Sequence, residues 1–249
     1  MFYLFKSNQK PGSIAFNIFI KNILPLGIYA LSFFLFSCGT DDQNGPFMVE
    51  SKKMTDPRDG QTYGIVKIGD QWWMAENLNY YTPSGSWYYN NDSATYAATY
   101  GRLYLPETAT VENKTQNSDQ PDCVCPPGWH IPTSEEWEQL IGYLGKYDLN
   151  GNDLKLPDSK FWVDTKNATN KTFFNAIPGG TVSNNGKSFA NIRFQTRFLT
   201  ATIDEKTGSV WGFGLDDDSP EIKKMPLAPE NGWSVRCVKN NSSGNPSSQ

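Results

Sequence analysis

Leu35-Phe36-Ser37-Cys38 ends an uncharged apolar run, and it thereby decides which residues are left to fold. Lys6, Lys10 and Lys21 precede the run, which covers 14 residues from Ile23 to Phe36 and includes Pro25. Spanning a bilayer takes about 20 apolar residues, so the run is too short for a permanent anchor. A basic start, a short apolar middle and a Leu-x-Ser-Cys box are instead the layout of a bacterial lipoprotein signal. Cleavage before Cys38 would leave that cysteine lipidated at the mature N-terminus and remove residues 1–37. Residues 38–54, opening with Gly39-Thr40-Asp41-Asp42-Gln43-Asn44-Gly45, then read as a polar tether.

Export also sets the chemistry of the remaining cysteines. Cys123, Cys125 and Cys237 would lie outside the cytoplasm, where disulfides persist, and three thiols allow one bridge with one over. A ring closed between Cys123 and Cys125 is small and strained, so the spacing favours joining one of the two to Cys237. Such a bridge would stabilise by about 4–5 kcal/mol in the chain-entropy account. A metal site would need further Cys or His ligands, and the chain has one histidine.

Roughly 200 residues remain after leader and tether, enough for one domain with its own core. Residues 1–37 hold 3 of the 22 basic residues and no acid, leaving 19 basic against 26 acidic side chains, a charge of −7. An acidic balance without basic clusters argues against nucleic-acid binding. Aromatics at 14%, with 21 glycines and 16 prolines, point to a loop-rich domain built around Trp, Tyr and Phe.

Asp56-Pro57-Arg58-Asp59-Gly60 reads as an opening turn. Gln61–Ile68 and Gln71–Ala75 are strand-like runs joined through Gly69-Asp70, a two-residue hairpin signal. Trp72-Trp73-Met74 cannot all face one side, so that strand should be covered on both faces. Residues 80–121 have no sustained period and read as long loops, with a short strand at Gly101-Arg102-Leu103-Tyr104. The strongest local signal is Thr133 with Glu136 three residues on, a capping box. Trp137, Leu140, Ile141 and Leu144 follow at helical spacing, and Gly145 supplies a stop. Beyond residue 147, Phe173–Ile177, Phe189–Phe194, Arg197–Ile203 and Ser209–Leu215 read as strands. In Trp233-Ser234-Val235-Arg236-Cys237-Val238, alternation places Trp233, Val235 and Cys237 on one face. Residues 240–249 form a polar tail.

An ordered set of motifs carries a family resemblance. It comprises Asp59-Gly60-Gln61-Thr62-Tyr63, Ile68-Gly69-Asp70-Gln71-Trp72-Trp73-Met74-Ala75-Glu76-Asn77-Leu78 and Gly101-Arg102-Leu103-Tyr104. Cys125-Pro126-Pro127-Gly128-Trp129-His130-Ile131-Pro132-Thr133 with Glu136-Trp137, Pro178-Gly179-Gly180 and Ser234-Val235-Arg236-Cys237-Val238 complete it. The segment 55–239 resembles the Fibrobacter succinogenes major paralogous domain, found in lipoproteins of Bacteroidetes and Fibrobacteres. Asp41-Asp42 after Cys38 likewise resembles the surface-export signal of Bacteroidetes lipoproteins. The resemblance implies an α+β module similar to the C-type lectin-like fold: short antiparallel strands, long loops and one or two helices. It also implies a bridge between Cys125 and Cys237, which stand at the family's cysteine positions, whereas Cys123 is extra. The chain departs from the family pattern at Phe198-Leu199-Thr200-Ala201-Thr202 and at Thr181. The family brings no established activity with it.

Catalytic devices are scarce. His130 sits in a scaffold-like segment and reads as a structural, hydrogen-bonded residue, and nothing near Cys123 supplies a base. Asp148-x-Asn150-x-Asn152 opens like a calcium loop but lacks the glycine and closing glutamate of one. Asp216-Asp217-Asp218 is the better calcium or sugar-hydroxyl candidate, since adjacent carboxylates repel unless solvated or neutralised by a cation. Trp87-Tyr88-Tyr89, Trp162 and Trp211 could stack on sugar rings where exposed. The expectation is therefore a non-enzymatic module at the outer-membrane surface, held by a lipid anchor, without a cofactor unless calcium. It would bind a glycan, a glycoprotein or an envelope partner through Trp211, Asp216, Asp217 and Asp218. An enzyme acting on extracellular polysaccharide, or a structural part of a surface assembly, are the alternatives.

Overall fold

The computed structural model describes residues 47–110 and 123–240; Cys38 and the leader lie outside them. Strands in chain order are β1 (Glu50–Thr55), β2 (Thr62–Ile68), β3 (Gln71–Met74), β4 (Ser86–Trp87), β5 (Leu103–Tyr104), β6 (Trp129–His130) and β7 (Thr181–Ser183). They continue with β8 (Ser188–Ala190), β9 (Gln195–Ile203), β10 (Val210–Asp216), β11 (Lys223–Leu227), β12 (Trp233–Ser234) and β13 (Val238–Lys239). The helices are α1 (Ser93–Tyr100), the single turn α2 (Pro106–Ala109) and α3 (Ser134–Gly145). One sheet has the order β1-β2-β3-β13-β6, a second β11-β10-β9-β12-β5-β4, and β7-β8 is a separate hairpin. The fold is α+β, mostly short antiparallel strands with few helices. One parallel pairing, Ser234 opposite Phe198, seats β12 beside β9.

Local chemistry accounts for the elements. Ile68 pairs with Gln71 across a two-residue turn, and Gly69 takes the positive φ of 60° that the tight hairpin demands at its first position. In β3, Trp73 packs in one core cluster and Met74 in the other, with Trp72 lying against the latter. Both faces of this strand are therefore covered. Helix α3 begins as expected: the Thr133 side chain accepts from the Glu136 N–H at 3.2 Å, and Glu136 accepts from the Thr133 N–H at 2.9 Å. Its stripe buries Trp137, Leu140 and Leu144. The helix ends at Gly145, where the sequence placed its stop, with Lys146 as C-cap, and Asp148 takes a positive φ of 56° in the turn beyond.

Trp137 is the hub of the core. It stacks on Phe213 and Phe198 of the second sheet at 5.2 and 5.5 Å and meets Trp73 of the first sheet edge-on at 4.9 Å. Trp162, one of the possible sugar stackers, is fully buried and donates its indole N–H to the Ala176 carbonyl at 3.1 Å. Cys125 and Cys237 form a disulfide inside the other core cluster, with Trp233 and Val235 beside Cys237.

Four sequence expectations change. The tether boundary at residue 54 gives way to β1, paired along its whole length with β2. Within the region read as loops, Ser93–Tyr100 is a helix; no residue of it is buried, so it leaves no apolar period to detect. Asp92 caps it by accepting from the Thr95 N–H at 3.1 Å, and Gly101 ends it at φ 66°. A Cβ at Gly101 would stand 2.6 Å from the Leu78 carbonyl oxygen, so only glycine fits. The expected strand at 173–177 is interrupted by positive φ at Phe173 and Asn175, leaving Ala176 in a single bridge with Lys155. The expected strand at 189–194 stops at Ala190, because Asn191 and Arg193 also adopt positive φ.

Candidate functional site: an aromatic and cationic shelf

The sequence-derived candidates occupy β10 and the turn after it. Trp211 is half-buried, with the Lys224 ammonium 5.2 Å from its ring centre. Asp216 accepts from Arg197 at 2.6 Å and from Lys223 at 2.7 Å. Burial would raise its pKa, but these hydrogen bonds outweigh burial and hold it below the ordinary carboxylate value. Asp217 offers its backbone carbonyl, with that of Ser219, to the buried ammonium of Lys155 at 3.3 and 2.7 Å. Burial lowers the Lys155 pKa, and the charges of Asp217, Asp216 and Asp218 oppose it. Arg197 and Lys223 thus neutralise Asp216, while the Asp217 and Asp218 carboxylates take no ion pair among the described residues. Among the described residues no group of three or more His, Cys, Asp or Glu side chains is arranged to hold a metal. Asn150, from the calcium-like stretch, caps the turn Gly151–Asp153.

His130 is occupied on both ring nitrogens. Nε2 lies 2.8 Å from a Glu136 carboxylate oxygen and Nδ1 lies 2.6 Å from the Asn240 side-chain oxygen. The hydrogen bond to Glu136 is the main reason its pKa is raised, with burial opposing. For Glu136, burial pushes upward, but the bonds from His130 and the Thr133 N–H prevail and its pKa is lowered. A raised histidine contributes stability below its ordinary value of 6.5 and loses it as pH rises through the folded value. A lowered glutamate contributes above its ordinary value of 4.5 and loses it as pH falls through the folded value. The pair thus stabilises most between these limits. Thermal melts should show a decline from pH 6.5 to 8 that is absent in His130→Gln. With the imidazole 35% exposed, the difference should not exceed about 1 kcal/mol. Identical pH profiles would refute this assignment.

Four cationic side chains are buried among the described residues: Arg102, Lys155, Arg197 and Arg236. Three are well supplied with acceptors. Lys155 donates to Asn152, Asp217 and Ser219. Arg197 donates to Thr196, Leu215, Gln195 and Asp216. Arg236 donates to Asn77, Phe174 and Asn175. Arg102 is different. Its Nη1 reaches only Ser86, at 3.2 Å to the hydroxyl and 3.4 Å to the carbonyl, and its Nε is sealed from solvent without a partner. The guanidinium lies 4.0 Å from the Tyr88 ring centre and 5.0 Å from that of Tyr81. Burying an unpaired charge costs several kcal/mol, whereas each cation–π contact supplies about 0.5–2 kcal/mol. The aromatic rings alone leave this charge under-compensated.

The surroundings form a shelf at the β4 edge of the second sheet. Arg102 precedes β5 and shares its face with Tyr104 and Ser86, since alternate residues point the same way. Beside them Arg58 stacks on Tyr80 at 3.7 Å while paired with Asp56 at 2.7 Å. Tyr81 is 62% exposed, although most aromatics of this domain are packed. The Thr82 hydroxyl lies 2.7 Å from that of Ser86. A separate open groove of about 640 Å³ is lined by Leu105, Glu107, Asn184, Asn185, Pro229 and Glu230. Sequence reasoning placed Tyr88 among possible stackers but missed Arg102, whose only signal was its place in Gly101-Arg102-Leu103-Tyr104.

Comparison with known proteins gives one assignment. No curated protein and no solved structure matches the chain. The family model described as Fibrobacter succinogenes major domain matches residues 66–239, from the middle of β2 to the last strand. That span holds α3, both bridged cysteines and the shelf, and the chain belongs to the Fibrobacter succinogenes major domain family.

Proposed function

We propose that this protein is a lipid-anchored module displayed at the outer-membrane surface, where it binds glycans or glycoproteins and performs no catalysis itself. The observation that carries the reading is the shelf: an exposed Tyr81 over a buried, under-compensated Arg102, flanked by the Ser86 and Thr82 hydroxyls. Exposed aromatic faces beside hydrogen-bonding groups suit sugar rings, which carry apolar faces and a polar rim. The one histidine supports the same view, because both its nitrogens serve the fold. For the address, Lys6 to Cys38 is the support. Asp216 has its carboxylate engaged by Arg197 and Lys223, so recognition is assigned to the shelf before the Trp211–Asp218 stretch.

A second reading, action on polysaccharide, is favoured by the groove in which Glu107 and Glu230 both stand. One experiment separates the two. Residues 39–249 are applied to a glycan array with and without calcium, and bound glycans are then tested for new reducing ends. Retention without cleavage is expected. Cleavage abolished by Glu107→Gln or Glu230→Gln would establish the enzyme instead, and no retention at all would remove the binding role. For the address, Cys38→Ala should release the protein from outer-membrane fractions, and unchanged retention would sink it.

A further inference from the structure

We propose that Arg102, with Tyr81 and Ser86, forms a subsite for the oxyanion of an acidic saccharide, a uronate carboxylate or a sulfate ester. The inference rests on the binding role proposed above and names the ligand class. Its basis is a contrast within one molecule. The other three buried cations each have at least three acceptors, whereas Arg102, 7% exposed, reaches a single residue, Ser86, through one of its three nitrogens. Among the described residues no carboxylate pairs with it.

The guanidinium lies between the Tyr88 and Tyr81 rings, with Nη1 turned to Ser86 and Nε buried. Nη2 donates to no described acceptor and, unlike Nε, is not sealed from solvent. A two-oxygen anion matches that geometry, because the guanidinium fork donates two parallel hydrogen bonds to a carboxylate or sulfate. Tyr81 is 62% exposed, which leaves its ring accessible to a bound sugar. The ring can then lie against the sugar that carries the anion, with the Ser86 and Thr82 hydroxyls within reach of sugar hydroxyls. A neutral sugar would leave the charge as it is. Nucleic acid fits poorly, since tracking a phosphate backbone needs a line of cations on an otherwise basic surface, and the chain carries a net charge of −4.

The test uses the full chain in detergent, with binding to polygalacturonate, dextran sulfate and neutral dextran measured by biolayer interferometry. Wild type should retain one or both acidic polymers and not dextran; which of the two it prefers identifies the oxyanion. Arg102→Gln should weaken that binding about tenfold or more, the expected loss for a charge-assisted hydrogen-bonded contact. Arg102→Lys should restore part of it, and Tyr81→Ala should weaken it while leaving the melting curve unchanged. If Arg102→Gln does not fold, Arg102→Lys and Tyr81→Ala carry the decision, and wild-type affinity in both overturns the proposal. Wild type that ignores both acidic polymers but binds a neutral array glycan also overturns it and leaves the binding role standing. Wild type that binds no glycan of any kind removes both.

Discussion

Arg236→Ala is expected to destabilise the domain by about 3–5 kcal/mol, from a large buried side chain lost together with the hydrogen bonds of three acceptors. Arg236 is 1% exposed and lies in the segment between β12 and β13. Its guanidinium donates to the Asn77 side chain at 3.0 Å, to the Phe174 carbonyl, and to the Asn175 carbonyl at 2.9 Å. The Phe174 and Phe198 rings lie 4.4 and 5.2 Å from it. The residue thus joins three stretches of chain that share no strand pairing through it. Burial pulls its pKa down to about 9, with the Glu76 charge opposing, so it remains protonated at neutral pH. Arg236→Lys should recover little, because one ammonium cannot reach acceptors arranged around a planar fork. Urea unfolding followed by tryptophan fluorescence measures this directly. A loss below about 1 kcal/mol would mean that water satisfies the three acceptors and that Arg236 is no clamp.

This clamp marks the boundary of what was legible in the sequence. Features written within a few residues could be read: the Thr133–Glu136 capping box, the Trp137-Leu140-Leu144 stripe, the Gly69-Asp70 hairpin and the alternation of Trp233, Val235 and Cys237. Each is a local pattern imposed by backbone geometry. The partners of Arg236 lie 62 and 159 residues away, and an isolated arginine in a strand reads as a solvent-facing residue. The same holds for Arg102, and for Asp216, one of whose neutralising partners, Arg197, is 19 residues upstream on another strand. Helix α1 escaped for the opposite reason: it buries nothing, so its residues carry no period, and only the Asp92 cap marked it. The interrupted strands at 173–177 and 189–194 failed because asparagine, arginine and even phenylalanine adopt positive φ there. Composition does not reveal a conformation that tertiary contacts impose.

The second large effect concerns the bridge. Cys125→Ala with Cys237→Ala should cost about 4–5 kcal/mol, because the crosslink spans 112 residues and restrains a correspondingly large loop in the unfolded chain. For a domain of this size that corresponds to a melting temperature lower by about 10–15 °C. The loop enclosed runs from just before β6 to just before β13, so it contains α3 and four of the six strands of the second sheet, β9 to β12. Both sulfurs are buried, in a cluster with Val124, Ile131, Trp233 and Val235. The bridge therefore joins the segment that feeds α3 to the closing strand, where β13 pairs with β3 and β6. Sequence left Cys123 and Cys125 as alternatives, and the family pattern pointed to Cys125. Cys123 packs at the edge of the same cluster, which allows a sharper comparison. In Cys125→Ala alone, non-reducing peptide mapping should find no Cys123–Cys237 link, and stability should match that of the double variant. A new link with restored stability would show that proximity, not the burial of Cys125, selects the bridge. A double variant that melts within a few degrees of wild type would place the stabilisation in the packed cluster and not in the restraint on the unfolded chain.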